Sequence, residues 1–192
     1  FLDYNTTVTV KEGETLLVTP KLEKVRKLQR VKWSNAFSSP VVTAPVYAGN
    51  RIISLTEDGS VTVLNKSGSV IFSSKVAKRF DSKAVVYKNN AYFVDVKGML
   101  YSLDIEKGKI NWKAATGGPV LFKTGPVVAN DTIYIASGYG KVTAFDLTGK
   151  VLWENELDEG VYNSVMVHKN NLLVATDTLT MYALSTEDGD EE

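Results

Sequence analysis

The sequence contains no cysteine and a single histidine, His168. The first absence excludes disulfide scaffolds, iron–sulfur clusters, thiolate zinc sites and cysteine nucleophiles. The second leaves no histidine-rich metal centre. No apolar run approaches the roughly 18 residues of a membrane span, so no transmembrane segment is expected. An excess of one charge is missing too: 22 Lys and Arg balance 22 Asp and Glu. Nucleic-acid-binding domains usually carry a basic surplus, so no nucleic-acid partner is expected. Catalytic signatures are absent as well. There is no glycine-rich phosphate loop ending in Lys-Ser/Thr and no Gly-x-Ser-x-Gly elbow. The one Asp-x-Asp triplet, Asp188-Gly189-Asp190, lies too near the terminus for a calcium loop. The expectation is a protein that is not an enzyme, with no catalytic, cofactor-binding or metal-binding residues and no cofactor. Phe1 in place of an initiator methionine reads as upstream processing or a cut in the chain.

What is present is periodic. Turn pairs Gly49-Asn50, Asn89-Asn90, Asn130-Asp131 and Asn170-Asn171 recur at spacings of 40, 41 and 40. Gly68, Gly108, Gly149 and Gly189 keep the same spacings. Trp33, Phe72, Trp112 and Trp153 follow at 39, 40 and 41, and Gly59, Gly98 and Gly140 at 39 and 42. Between these markers lie short β-branched and aromatic runs, such as Thr132–Ala136 and Lys141–Phe145. Such runs favour strands, and Asn or Gly between them favours tight hairpins. Four antiparallel strands per period of about 40 residues describe a β-propeller, whose sheets bury their faces against each other around an axis. The chain reads as all-β, one domain over 1–192, with about five units near 7–39, 40–79, 80–121, 122–161 and 162–192. The last unit lacks its fourth strand. Residues 22–31 allow a helical stripe, but the alternation of Val31 and Trp33 favours strands. Either Phe1–Tyr4 completes the last unit irregularly, or this is part of a larger propeller.

The run Ala144-Phe145-Asp146-Leu147-Thr148-Gly149-Lys150-Val151-Leu152-Trp153 resembles the repeat of quinoprotein-type, or PQQ-like, β-propellers. Ser102–Trp112 is similar, Val63–Phe72 is a degenerate copy, and Ala183–Gly189 is a truncated one. In such a turn the glycine permits a left-handed backbone and the aspartate caps nearby N–H groups. The aromatic offers an apolar plate that docks between blades. Trp33, Phe72, Trp112 and Trp153 are therefore read as structural docking residues. The family's enzymes use pyrroloquinoline quinone with a calcium ion, but no residues here match those ligands. The resemblance is better to the non-enzymatic members, such as the propeller scaffold of bacterial outer-membrane β-barrel assembly. It implies a non-catalytic scaffold that binds another protein, in an extracytoplasmic setting. A ligand-binding or PQQ-type module with sugar or quinone in a central channel is the alternative; a purely structural set of repeats, with self-association if the ring is open, is a third reading.

Loops from the fourth strand to the next unit, and from second to third strands, share one propeller face. Arginine and tyrosine are enriched at binding hot spots, so Arg79, Tyr139 and Tyr162 are the candidate partner-binding residues; lining a wet channel is the competing role. Pairing through an exposed sheet edge is a second mode. The zero net charge is itself a cancellation. Lys21–Lys32 holds six basic residues, and 185–192 holds five acids. These runs would attract across a closing seam, or the acidic run would form a free tail.

Overall fold

The computed structural model describes residues 31–120 and 124–190. It divides into two compact units, Phe1–Ser34 and Asn35–Glu192. The strands expected before residue 31, the helical alternative there and the closing role of Phe1–Tyr4 lie outside the described residues, as does most of the basic half of the seam. In the first unit, residues 31–34 have no regular structure, with Val31 52% and Trp33 38% exposed.

In the second unit all regular structure among the described residues is β. Four antiparallel sheets follow one another along the chain. The first contains β1 (Val46–Ala48), β2 (Arg51–Leu55), β3 (Ser60–Asn65) and β4 (Val70–Lys75). The second contains β5 (Val85–Tyr87), β6 (Asn90–Val94), β7 (Met99–Asp104) and β8 (Lys109–Ala115). The third contains β9 (Val127–Ala129), β10 (Thr132–Ala136), β11 (Lys141–Asp146) and β12 (Val151–Glu156). The fourth has three strands, β13 (Met166–His168), β14 (Asn171–Ala175) and β15 (Met181–Ser185). Each sheet is a simple meander, and the first strands touch in succession, β1 with β5, β5 with β9 and β9 with β13. This is the arrangement of successive blades in a β-propeller.

Burial explains the sequence pattern. The middle strands β2, β3, β6, β7, β10 and β11 are buried almost continuously, whereas β4 and β8 alternate between exposed and half-buried. The middle strands of the second and third sheets face a neighbouring sheet on both sides and are mostly apolar, with the small polar Ser102 and Thr143 buried among them. The core sits between sheets rather than within any one. One cluster joins Ile53, Leu55 and Val63 to Phe80, Phe93 and Leu103 across the first and second sheets. A second joins Tyr92, Val94 and Leu100 to Ile133, Ile135 and Phe145. A third joins Tyr134, Val142 and Trp153 to Val161, Leu172 and Leu184. Each fully buried Leu, Ile or Phe contributes about 1.5–3 kcal/mol.

The hairpin between first and second strands departs from expectation in two sheets. Pairing of Tyr87 with Asn90 and of His168 with Asn171 makes the turn residues Lys88-Asn89 and Lys169-Asn170, one position earlier than the asparagine pairs suggest. Lys88 and Lys169, not the asparagines, take positive φ, 53° and 54°. Register is set by which residues of β6 and β14 must face the core, and the turn adapts. Gly49-Asn50 and Asn130-Asp131 do occupy their turns, with φ between 49° and 62°.

Candidate functional site

The turns between third and fourth strands lock each sheet to the one before it. Asp146 Oδ1 accepts from the Thr148 and Lys150 N–H groups at 2.8 and 3.0 Å. Asp104 Oδ1 accepts from Glu106 and Lys107 N–H, and Asn65 Oδ1 from Ser67 and Ser69 N–H. These bonds hold the Asp104 and Asp146 carboxyls below the usual aspartate range; the first cause is the Lys107 N–H for Asp104 and the Thr148 hydroxyl for Asp146. A left-handed glycine follows, and the preceding sheet's aromatic lies against it. A Cβ on Gly108 would stand 2.6 Å from Phe72, on Gly149 2.7 Å from Trp112, and on Gly189 2.5 Å from Trp153. Trp112 Nε1 donates to Leu147 O at 2.9 Å and Trp153 Nε1 to Thr186 O at 3.2 Å. Asn155 Nδ2 donates to Gly189 O at 2.7 Å, and Asn35 Nδ2 repeats this bond to Gly68 O. Trp33, two residues before Asn35, sits in the other unit, half-exposed and outside any strand.

The opposite end of the sheets carries the candidate face. Its loops are bonded together in a repeating pattern. Within a sheet, the carbonyl of the turn glycine between second and third strands accepts from the outgoing chain: Val76 N to Gly59 O, Thr116 N to Gly98 O and Leu157 N to Gly140 O. The loop entering each sheet is held in turn by that sheet's second-to-third-strand turn: Glu57 N donates to Pro40 O, Val96 N to Arg79 O, Gly138 N to Pro119 O and Asp177 N to Gly160 O. The face is thus a continuous backbone lattice on which side chains are displayed.

Arg79 projects from the loop between the first and second sheets and pairs with Glu57 at 3.5 Å, both about half-exposed. Neighbouring Phe80 is buried, edge-on to Phe93 and Tyr101 at 5.3 and 6.3 Å. Beneath it the Tyr101 hydroxyl donates to Asp95 Oδ2 at 3.1 Å. Burial, then the Asp95 charge, then that hydrogen bond push the Tyr101 phenol up to about 12. Tyr139 is 75% exposed, with its ring edge near Gly118. Tyr162 is half-buried beside Gly160, which in turn meets Gly138 O. Tyr139 and Tyr162 therefore belong to one neighbourhood. Arg79 lies further along the same face.

Two features had no marker in the periodic reading. Leu179 stands where the other three sheets have Gly59, Gly98 and Gly140; it takes φ 72° and is fully exposed. Glu159 bridges loops, accepting from the Thr176 and Thr180 hydroxyls, and these bonds, Thr176 first, hold its carboxyl below the ordinary glutamate range. The acidic run up to Asp190 is neither a free tail nor an unstructured end. Ser185 N donates to Asp190 O, Asp190 N to Asp188 Oδ1, and the turn receives Trp153 and Asn155. His168 is exposed at the end of β13.

Among the described residues no group of three or more His, Cys, Asp or Glu could hold a metal ion. Several carboxylates are instead engaged in turns, such as Asp104 and Asp146. No helix among the described residues is long and apolar enough to cross a membrane.

The meander sheets, their inter-sheet cores and the Asp–Gly–Trp turns define a β-propeller built of PQQ-like repeats. The family model described as outer membrane protein assembly factor BamB matches residues 4–120 and 115–192, and the chain belongs to that family. Outer membrane protein assembly factor BamB of Legionella pneumophila (strain Paris) is 27% identical over 143 residues, covering 73% of this chain and 36% of the relative. The chain thus spans about a third of that curated relative's length. The crystal structure of BamB from Moraxella catarrhalis superposes with a TM-score of 0.72 at 18% identity, over 83% of this chain and 50% of that one. Quinohemoprotein alcohol dehydrogenase ADHIIG from Pseudomonas putida HK5 gives 0.67 at 16% identity, over 82% of this chain and 34% of that one. At such identities these structures speak for the fold alone.

Proposed function

We propose that the chain is a non-catalytic β-propeller scaffold that binds another protein through the loops joining its sheets, in an extracytoplasmic compartment. The observation carrying this reading is the face itself: a backbone-bonded loop lattice with exposed Arg79 and Tyr139 and half-buried Tyr162 at one end of the sheets. A rigid base lets exposed side chains bind without a large ordering cost. Family membership supports it, since the named relatives are outer membrane assembly factors.

Photo-cross-linking in cells tests the reading. A cross-linker replacing Tyr139 or Arg79 should trap a discrete protein partner. The same group at Glu106 or Thr148, in the turns at the opposite end, should not. Trapping only from the opposite turns would overturn the proposal, as would none from either end.

A further inference from the structure

We propose that this face takes an acidic, extended segment of its partner protein, seated on a lysine-lined strip with Tyr139 as the aromatic anchor. The inference rests on the scaffold reading above and adds the chemistry of what binds. The strip is contiguous. Arg79 O accepts from Val96 N at 3.3 Å, so Lys97 lies next to the Lys78-Arg79 loop. Gly98 abuts Gly118, where a Cβ would fall 1.8 Å from the Gly118 carbonyl oxygen. A Cβ on Gly118 would in turn stand 3.0 Å from the Tyr139 ring. The path runs from Lys78 and Arg79 through Lys97 and the small residues Gly117 and Gly118 to Tyr139.

Two charges along it are unspent. Lys78 and Lys97 are exposed, and neither has an ion pair among the described residues. Lys141, whose side chain lies against Gly117, is paired with Glu154 at 2.8 Å, and Lys88 and Lys107 each have a carboxylate elsewhere. Arg79 is paired, but with a half-exposed Glu57 at 3.5 Å, a contact worth little and easily exchanged. Asp95, two residues before Lys97, is buried and is engaged by Lys97 N, Met99 N and the Tyr101 hydroxyl. Asp58 is likewise taken up by the Thr56 hydroxyl and Ser60 N, which leaves Asp81 as the remaining acid of these loops.

Beyond Tyr139 the sign reverses, with Asp158 and Asp177 exposed and Glu159 between them in sequence. An acidic chain is attracted at one end and repelled at the other, which fixes its place on the face. The exposed Tyr139 ring supplies contact area at low entropic cost.

The test uses the whole chain and a fluorescein-labelled short peptide of alternating glutamate and serine with one central tryptophan. A counterpart with lysine in place of glutamate is the control. The acidic peptide should bind at about 50 mM salt, where a Debye length of roughly 14 Å leaves the strip unscreened, and weaken as salt is raised. The double variant Lys78→Glu, Lys97→Glu should lose at least about tenfold in affinity with an unchanged melting temperature. Tyr139→Ala should lose several-fold while keeping the salt dependence, and Asp158→Ala should not weaken binding. No binding, binding indifferent to the charge reversal, or a preference for phosphatidylglycerol vesicles over the peptide would overturn the inference. If cross-links at Tyr139 persist while the acidic probe fails, the acidic segment is wrong and the scaffold stands. If both fail, both fall.

Discussion

At the residue scale, the turn glycine is the position that tolerates least. Gly149 has φ 88° and its missing Cβ would stand 2.7 Å from the Trp112 ring. Gly149→Ala therefore combines a left-handed backbone penalty of about 1–2 kcal/mol with overpacking, and urea unfolding should show a loss of roughly 2–4 kcal/mol. Leu179 is the converse. It holds φ 72° with its side chain fully in solvent. Leu179→Gly should raise stability, by up to about 1 kcal/mol once glycine's extra unfolded-state entropy is deducted. The capping carboxylates add a pH dependence. Asp104 and Asp146 have folded pKa values below the ordinary aspartate value. Their contribution is complete above about pH 4 and is lost as pH falls through the lower, folded value. Melting temperature should drop in acid, and the double variant Asp104→Asn, Asp146→Asn should start lower at neutral pH and drop less.

At the element scale, each loop of the candidate face is braced by its neighbour rather than by its own sheet alone. Glu159, from the loop entering the fourth sheet, accepts from Thr176 and Thr180 in that sheet's β14–β15 turn. Removing it as Glu159→Ala should speed hydrogen exchange at residues 176–181 while leaving residues 95–98 unchanged. The latter turn is held by Asp95 and by Arg79 O. Equal acceleration in both turns would show that the bracing is not local. The hairpins make a related point. Lys88 and Lys169 accept left-handed backbone because register, fixed by the buried faces of β6 and β14, leaves them no other place.

At the scale of the whole unit, stability is a chain of neighbour contacts. The aromatic of each of the first three sheets is seated in the next sheet's turn, so loss of one contact should act mainly at one interface. Trp153→Ala should cost about 3–5 kcal/mol and should uncouple the fourth sheet first. Hydrogen exchange should accelerate in β13, β14 and β15 well before β2 and β3. The acidic run is part of the same interlock, since Asp188 and Asp190 shape the turn that receives Trp153 and Asn155.

The period, the strand character and the PQQ-like turn were legible in the sequence because each depends on local chemistry. Glycine is needed where φ is positive, aspartate where N–H groups lack partners, and a β-branched run where both faces of a strand are buried. The three full sheets span 46–75, 85–115 and 127–156, and Arg79 and Tyr139 lie in loops at the end of the sheets opposite the Asp–Gly turns. What the sequence left open is non-local. The shift of two hairpins by one residue follows from core-facing register. The bracing of Thr176 by Glu159 joins the loop entering the fourth sheet to that sheet's β14–β15 turn, residues 17 apart in the chain. The burial of Phe80 beside exposed Arg79, the burial of Asp95 and the unspent charge of Lys78 and Lys97 depend on which loops meet. Sequence determined the repeat because one repeat folds by its own turns and periodicity; only the packing of sheet on sheet decided which side chains the shared face could offer.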